Sequence, residues 1–84
     1  MERIRFEFFT MPGCPNCLSM EKILNSLQLE YSNMDLEEIN LIDYPEEASR
    51  YGIMACPVLA INGKVAFVGG AKEKDIRQYV EALA

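Results

Sequence analysis

Between Ile4 and Leu27 the chain changes hydrophobic period once, and that change narrows the folds open to it. Ile4, Phe6 and Phe8 alternate with Arg3, Arg5 and Glu7, the two-residue period of a strand with one buried face. Thr10-Met11-Pro12-Gly13 interrupts the alternation as a loop. Pro15 then suits the first turn of a helix, where its missing N–H leaves no bond unmade. Leu18, Ile23, Leu24 and Leu27 recur at helical spacing, with Glu21 and Lys22 on other faces. A strand that runs through a short loop into a helix is the opening of an α/β unit.

Past Leu27 the pattern weakens. A second strand is predicted over residues 29–36, where the chain must turn back after the helix, with residues 39–42 as the competing stretch. Asp43 is the expected N-cap of a short helix, with Pro45 in its first turn and Glu46 three residues on, as in a capping box. Gly52 suits the left-handed position that ends that helix. Residues 57–61 and 64–68, joined by Asn62-Gly63, carry the clearest hairpin signal, because Asn-Gly tolerates the positive φ angles of a type I′ turn. Gly69-Gly70 ends the second of these strands. Ile76, Tyr79, Val80 and Leu83 mark one face of a terminal helix. The order is β-α-β-α-β-β-α. A parallel pair formed through the first helix plus a terminal antiparallel hairpin gives a mixed four-stranded sheet flanked by helices, an α/β fold in one domain over residues 1–84.

Composition removes several classes of function. Net charge is −5, and Lys64, Lys72, Lys74 and Arg77 are interleaved with Glu73 and Asp75 and form no basic stripe, so nucleic acid is excluded as a partner. The apolar runs fall far short of a membrane span, and residues 1–5 lead directly into the first strand without an apolar leader. A cytoplasmic, monomeric protein is expected. Histidine is absent, which removes Cys–His nucleophilic catalysis, mixed Cys/His zinc sites and histidine acid–base chemistry. Three cysteines are an odd number for a secreted disulfide framework, so redox chemistry or metal binding remains for them.

Two of the three stand at Cys14-Pro15-Asn16-Cys17, where the predicted helix begins. There the first thiol faces unpaired backbone N–H groups and the positive end of the helix dipole, and both stabilise the thiolate that attacks disulfides. The second lies one turn deeper, within reach of a mixed disulfide formed on the first. Cys14 is therefore the candidate nucleophile and Cys17 the candidate resolving thiol. Pro15 stiffens the turn and Asn16 is a small polar neighbour. A structural zinc ion would need four ligands, and this chain offers three sulfurs and no imidazole. No resident metal is expected. The competing reading is a metal or iron–sulfur carrier that uses Cys14, Cys17 and Cys56 with an external ligand or a second chain.

Phe8 through Cys17 (FFTMPGCPNC) resembles the active-site entry of glutaredoxins, an aromatic strand followed by Pro-Gly-Cys-Pro-x-Cys. Residues 44–61 (YPEEASRYGIMACPVLAI) resemble the thioredoxin segment in which a short helix ending in Tyr-Gly-Ile precedes a cis-proline and an apolar strand. Asn62-Gly63-Lys64 and Val68-Gly69-Gly70-Ala71 continue that match. The likeness covers nearly the whole chain apart from residues 30–43, and it is greatest to the small glutaredoxin-like thioredoxins of prokaryotes. It implies a thioredoxin-like fold with a cis Cys56–Pro57 bond, and a substrate groove formed by Pro15, Asn16, Cys56, Pro57 and Gly70. It also implies a thiol–disulfide oxidoreductase with no bound cofactor beyond a redox-active Cys14–Cys17 disulfide. Its substrates would be protein disulfides, and its electrons would come from a thioredoxin-reductase-like or a glutathione system.

The chain departs from these families at several positions. Thioredoxins bury an aspartate six residues before the first cysteine, where this chain has Phe8, and tryptophan is absent. Glutaredoxins often carry a lysine in the loop before the motif, where Met11 and Pro12 stand. They also tend to place acidic residues directly after the Gly-Gly pair, where Ala71 and Lys72 stand. Glutathione therefore stays open as a co-substrate. Cys56 reads as a small buried hydrophobe, as a second resolving or regulatory thiol, or as a metal ligand. Met11 and Met54 flank the implied groove, where core filling competes with an adaptable apolar rim.

Overall fold

The computed structural model describes residues 3–53 and 55–83. The chain runs β1 (Ile4–Thr10), α1 (Pro15–Glu30), β2 (Met34–Asn40), α2 (Pro45–Tyr51), β3 (Val58–Ile61), β4 (Lys64–Val68) and α3 (Glu73–Ala82). The strands form one sheet in the order β2-β1-β3-β4, with β1 parallel to β2 and antiparallel to β3, and β3 antiparallel to β4. This is the mixed four-stranded, thioredoxin-like architecture that the element order and the resemblance imply.

β1 is paired along both edges, and separate clusters cover its two faces. On one face Phe6, Phe8, Leu59 and Ile61 pack against Cys17, Met20, Leu24 and Leu27 of α1 and Ile76 and Val80 of α3. On the other, Phe9, Ile39, Val58 and Ala60 form a smaller cluster against Tyr51 and Ile53, at and just beyond the end of α2. The alternation in β1 therefore understates its burial. Glu7, expected on a solvent face, is 5% exposed. Its carboxylate accepts hydrogen bonds from Tyr51 Oη and, at 3.0 Å, from Arg50 Nη2, so β1 and α2 are held by a satisfied buried charge.

Four local expectations are corrected. The second strand spans Met34–Asn40, neither residues 29–36 nor 39–42. With no Gly or Pro to stop it, α1 runs on to Glu30 and leaves Leu29 on the solvent side. Leu36 and Ile39, read as members of rival strands, belong to one strand and face opposite sides of the sheet. Asp43 does not cap α2. Asn40 organises that turn instead: its carbonyl accepts from Asp43 and Tyr44, and its Oδ1 accepts from the Ile42 N–H at 2.8 Å. The cap position thus falls on Tyr44, which makes no side-chain cap bond. Leu18 is exposed, because the sheet-facing row of α1 is Cys17, Met20, Leu24 and Leu27, and Leu18 sits about 100° around the helix from Cys17. In α3, Ile76 and Val80 are buried while Leu83 is exposed.

The hairpin forms as expected. Asn62 and Gly63 have φ of 52° and 83°, both positive as a type I′ turn requires. The Asn62 Oδ1 also accepts from the Arg5 N–H at 3.0 Å, which ties the turn back to β1. Gly52 closes α2 in the left-handed conformation, φ 68°. No helix among the described residues is long and apolar enough to cross a membrane.

Candidate active site

Cys14 is the N-cap residue of α1, in extended backbone geometry, with Pro15 in the first turn. Its Sγ accepts a hydrogen bond from the Cys17 N–H at 3.2 Å. A sulfur in this place satisfies one of the donors that a helix start leaves unpaired, and the bond strengthens when the sulfur is anionic. Cys14 is half-buried and Cys17, one turn on, is 3% exposed. Burial pushes the Cys17 thiol up, and its neighbour Cys14 pushes in the same direction.

The loop before β3 completes the sulfur cluster. The Cys56–Pro57 peptide is cis, Pro57 is fully buried, and its carbonyl accepts from the Gly69 N–H at 2.7 Å. Cys56 is half-buried against the same core as Cys14. Its thiol is raised by burial first, and then by the charges of Cys17 and Cys14. All three thiols are free and share one neighbourhood. Among the described residues no group of three or more Cys, Asp or Glu side chains is arranged to hold a metal ion.

Two clefts flank the thiols. One, of about 210 Å³, contains Cys14 and Cys17 with Thr10, Met11, Glu21 and Glu38 in its wall. The other, of about 430 Å³, runs from Asn16 past Gly70 to Lys72 and Asp75. Its floor is pinned by a hydrogen bond from the Ala71 N–H to Met20 Sδ at 3.2 Å. Of the residues expected in the groove, Asn16 and Gly70 line this second cleft together, while Cys56 and Pro57 lie on the loop side. A larger cleft, about 530 Å³, opens at the far end of the sheet beside Tyr31 and Leu83 and holds no thiol. Met54 lies outside the described residues.

Thr10, Glu21 and Glu38 escaped the sequence reading. Glu21 stands seven residues beyond Cys14 on a helix whose start was legible, so it was within reach of that reading. Glu38 was not, because its place follows from the β1–β2 register, which sets it beside Phe8. The Glu38 carboxyl is raised by partial burial and then by Glu21. Phe8 itself is 1% exposed and apolar, and the adjacent Glu7 turns to the opposite face, so β1 offers the thiols no carboxylate.

A family profile described as Thioredoxin domain matches residues 5–81. The chain belongs to the thioredoxin domain family. The thioredoxin of Methanocaldococcus jannaschii is 34% identical over 84 residues, covering 99% of this chain and 95% of that one. A probable thioredoxin of Methanothermobacter thermautotrophicus is 35% identical over 74 residues, covering 87% of each. Among solved structures, a malarial protein superposes with a TM-score of 0.86 at 15% identity, covering 96% of this chain and 97% of its own. A mutant thioredoxin from Halobacterium salinarum superposes with a TM-score of 0.84 at 20% identity, covering 96% of this chain and 74% of its own. These two likenesses speak for the fold. Family membership makes this thioredoxin-family chain a thiol–disulfide oxidoreductase.

Proposed function

We propose that the chain reduces protein disulfides, with Cys14 as nucleophile and Cys17 as resolving thiol. The observation that carries this reading is the Cys17 N–H bonded to Cys14 Sγ, with the Cys17 thiol buried one turn behind. Cys14 thiolate attacks a substrate disulfide, forms a mixed disulfide and releases one substrate thiolate. Cys17 gives up its proton, attacks Cys14 Sγ and releases the second substrate thiolate, which leaves a Cys14–Cys17 disulfide and two substrate thiols. The backbone beside the cis Cys56–Pro57 bond holds the extended substrate, with Pro15 and Asn16 in the opposite wall. Exposed Met11 and Leu18 supply apolar surface at the rim. The chain has no nucleotide fingerprint, since Gly69-Gly70 alone is not a GxGxxG motif, so an external reductase must return the disulfide to thiols. In this reading the protein is a cytoplasmic monomer.

A second reading, in which glutathione is donor or mixed-disulfide partner, is favoured by one observation. Asp75 reaches the cleft beside Gly70, together with Lys72, so opposite charges flank the groove where a zwitterionic tripeptide would lie. Insulin reduction driven in parallel by dithiothreitol, by a thioredoxin-reductase system and by a glutathione system separates the two. Turnover with thioredoxin reductase alone supports the first reading, and turnover with glutathione alone supports the second. Silence with every donor from folded, metal-free protein contradicts both and returns metal or cluster binding, tested by bound metal and colour after anaerobic purification, to the front.

A further inference from the structure

The 430 Å³ cleft has one wall from the helix that carries the thiols and one from the turn between β4 and α3. α1 supplies Asn16, Ser19 and Met20, and the turn supplies Gly69, Gly70 and Ala71. Two successive glycines make a loose wall by themselves. Gly69 and Gly70 have φ of 85° and 119°, and a Cβ on either would meet nothing within 4 Å. Their positive φ, not crowding, calls for glycine, and glycine leaves the backbone a wide choice of conformations. The structure places a hydrogen bond at each end of the pair. The Gly69 N–H donates to the Pro57 carbonyl at 2.7 Å, and the Ala71 N–H donates to Met20 Sδ at 3.2 Å. The first bond ties the turn to the loop that carries Cys56, and the second ties it to α1.

We infer that Met20 is a positioning residue for the substrate groove: its Sδ holds the Ala71 N–H and so fixes the Gly69-Gly70 backbone against the helix that carries Cys14 and Cys17. The inference rests on the reading of the cleft between Asn16 and Gly70 as part of the groove for a protein disulfide. It adds the group that sets the width of that groove. Met20 stands three residues beyond Cys17 on the buried row of α1. It is 2% exposed and packs in the main core with Ile76 of α3, so the thioether itself is held in place. Leucine fills a similar volume, but only the thioether offers a lone pair to an amide. The acceptor is weak, yet it spares the half-buried Ala71 amide the cost of having no partner. Met20 takes no part in the sulfur exchange. The bond from the Cys17 N–H to Cys14 Sγ lies within the first turn of α1 and does not involve the clasp. The effect of Met20 therefore falls on how a polypeptide is held, not on the reactivity of Cys14.

Two altered forms of the full chain test this. Met20→Leu removes the acceptor and keeps the volume. The other keeps Met20 and removes only the donor: an ester at Ala71, its N–H replaced by oxygen, built into the 84-residue chain by ligation at Cys56. Insulin serves as the disulfide and dithiothreitol as the donor, so that no reductase occupies the groove. Both forms are expected to raise the KM for insulin about fivefold with kcat nearly unchanged, the scale of one net hydrogen bond. Alkylation of Cys14 by iodoacetamide, followed by mass, is expected to keep its rate. In Met20→Leu the Ala71 amide is expected to exchange its hydrogen about tenfold faster while the Gly69 amide keeps its protection. The ester decides the matter should Met20→Leu fail to fold. An unchanged KM in both forms overturns the inference, as does an Ala71 amide that exchanges as slowly in Met20→Leu as in the unaltered protein. Equal slowing of insulin reduction and of Cys14 alkylation also overturns it, since that marks a role in folding alone. Absence of insulin turnover by the unaltered protein instead overturns the function on which the inference rests, and the groove role with it.

Discussion

Burial of a thiol leaves a thermodynamic trace that can be read without any substrate. Cys17 is raised by burial, and Cys56 by burial and by the charges of Cys17 and Cys14. A thiol raised in the folded state stays protonated after the same thiol in the unfolded chain has ionised, so the unfolded chain binds fewer protons over that interval. The stabilisation is complete below the ordinary value of 9.0 and declines as pH rises through it toward the folded value. Thermal melts of reduced protein on either side of that pH should therefore fall on the alkaline side. Oxidised protein, in which Cys17 is tied up with Cys14, should show a smaller decline, and equal declines would argue against a buried Cys17 thiol. At this scale the pair itself was legible, because CxxC before a helix needs no tertiary knowledge. The carboxylate beside it was not, since Glu38 reaches the wall of that cleft only when β2 pairs in parallel with β1.

Between elements, the contact most open to test is the one joining β1 to α2. Glu7 receives Tyr51 Oη and Arg50 Nη2, Arg50 also lies over the Tyr51 ring at 4.8 Å, and Tyr51 meets Phe9 edge-on at 5.3 Å. Glu7→Ala removes the acceptor and leaves a partly buried hydroxyl without its partner, at a cost of about 2 kcal/mol by chemical denaturation. The half-exposed Arg50 recovers water and adds little. A loss below about 0.5 kcal/mol, the range of ordinary surface changes, would mean that the clamp contributes nothing net. Elements announced by local chemistry were readable in the sequence: Pro15 starts α1, and Asn62-Gly63 turns the hairpin. The start of β2 and the cap of α2 were not. Nothing between Leu27 and Glu30 stops a helix, and the turn after β2 is set by Asn40, which a capping-box pattern at Asp43 conceals.

For the molecule as a whole, the site is an assembly of segments far apart in sequence. The β1–α1 junction brings Thr10, Cys14 and Cys17, the parallel register brings Glu38 alongside, and the turns before β3 and after β4 bring Cys56, Pro57 and Gly70. Alternation in β1 could not reveal that Glu7 is buried, because burial on the second face depends on the strand order β2-β1-β3-β4 and on where α2 lands. The same long-range order sets the thiols at one end of the sheet beside an open groove. Trapping tests that arrangement directly. Reduced Cys17→Ser protein, mixed with a disulfide-containing protein and resolved without reductant, is expected to accumulate a covalent adduct whose link maps to Cys14, and Cys14→Ser is expected to form none. An adduct that persists in Cys14→Ser, or that maps to Cys56, would contradict the assignment of Cys14 as nucleophile and Cys17 as the thiol that releases the product.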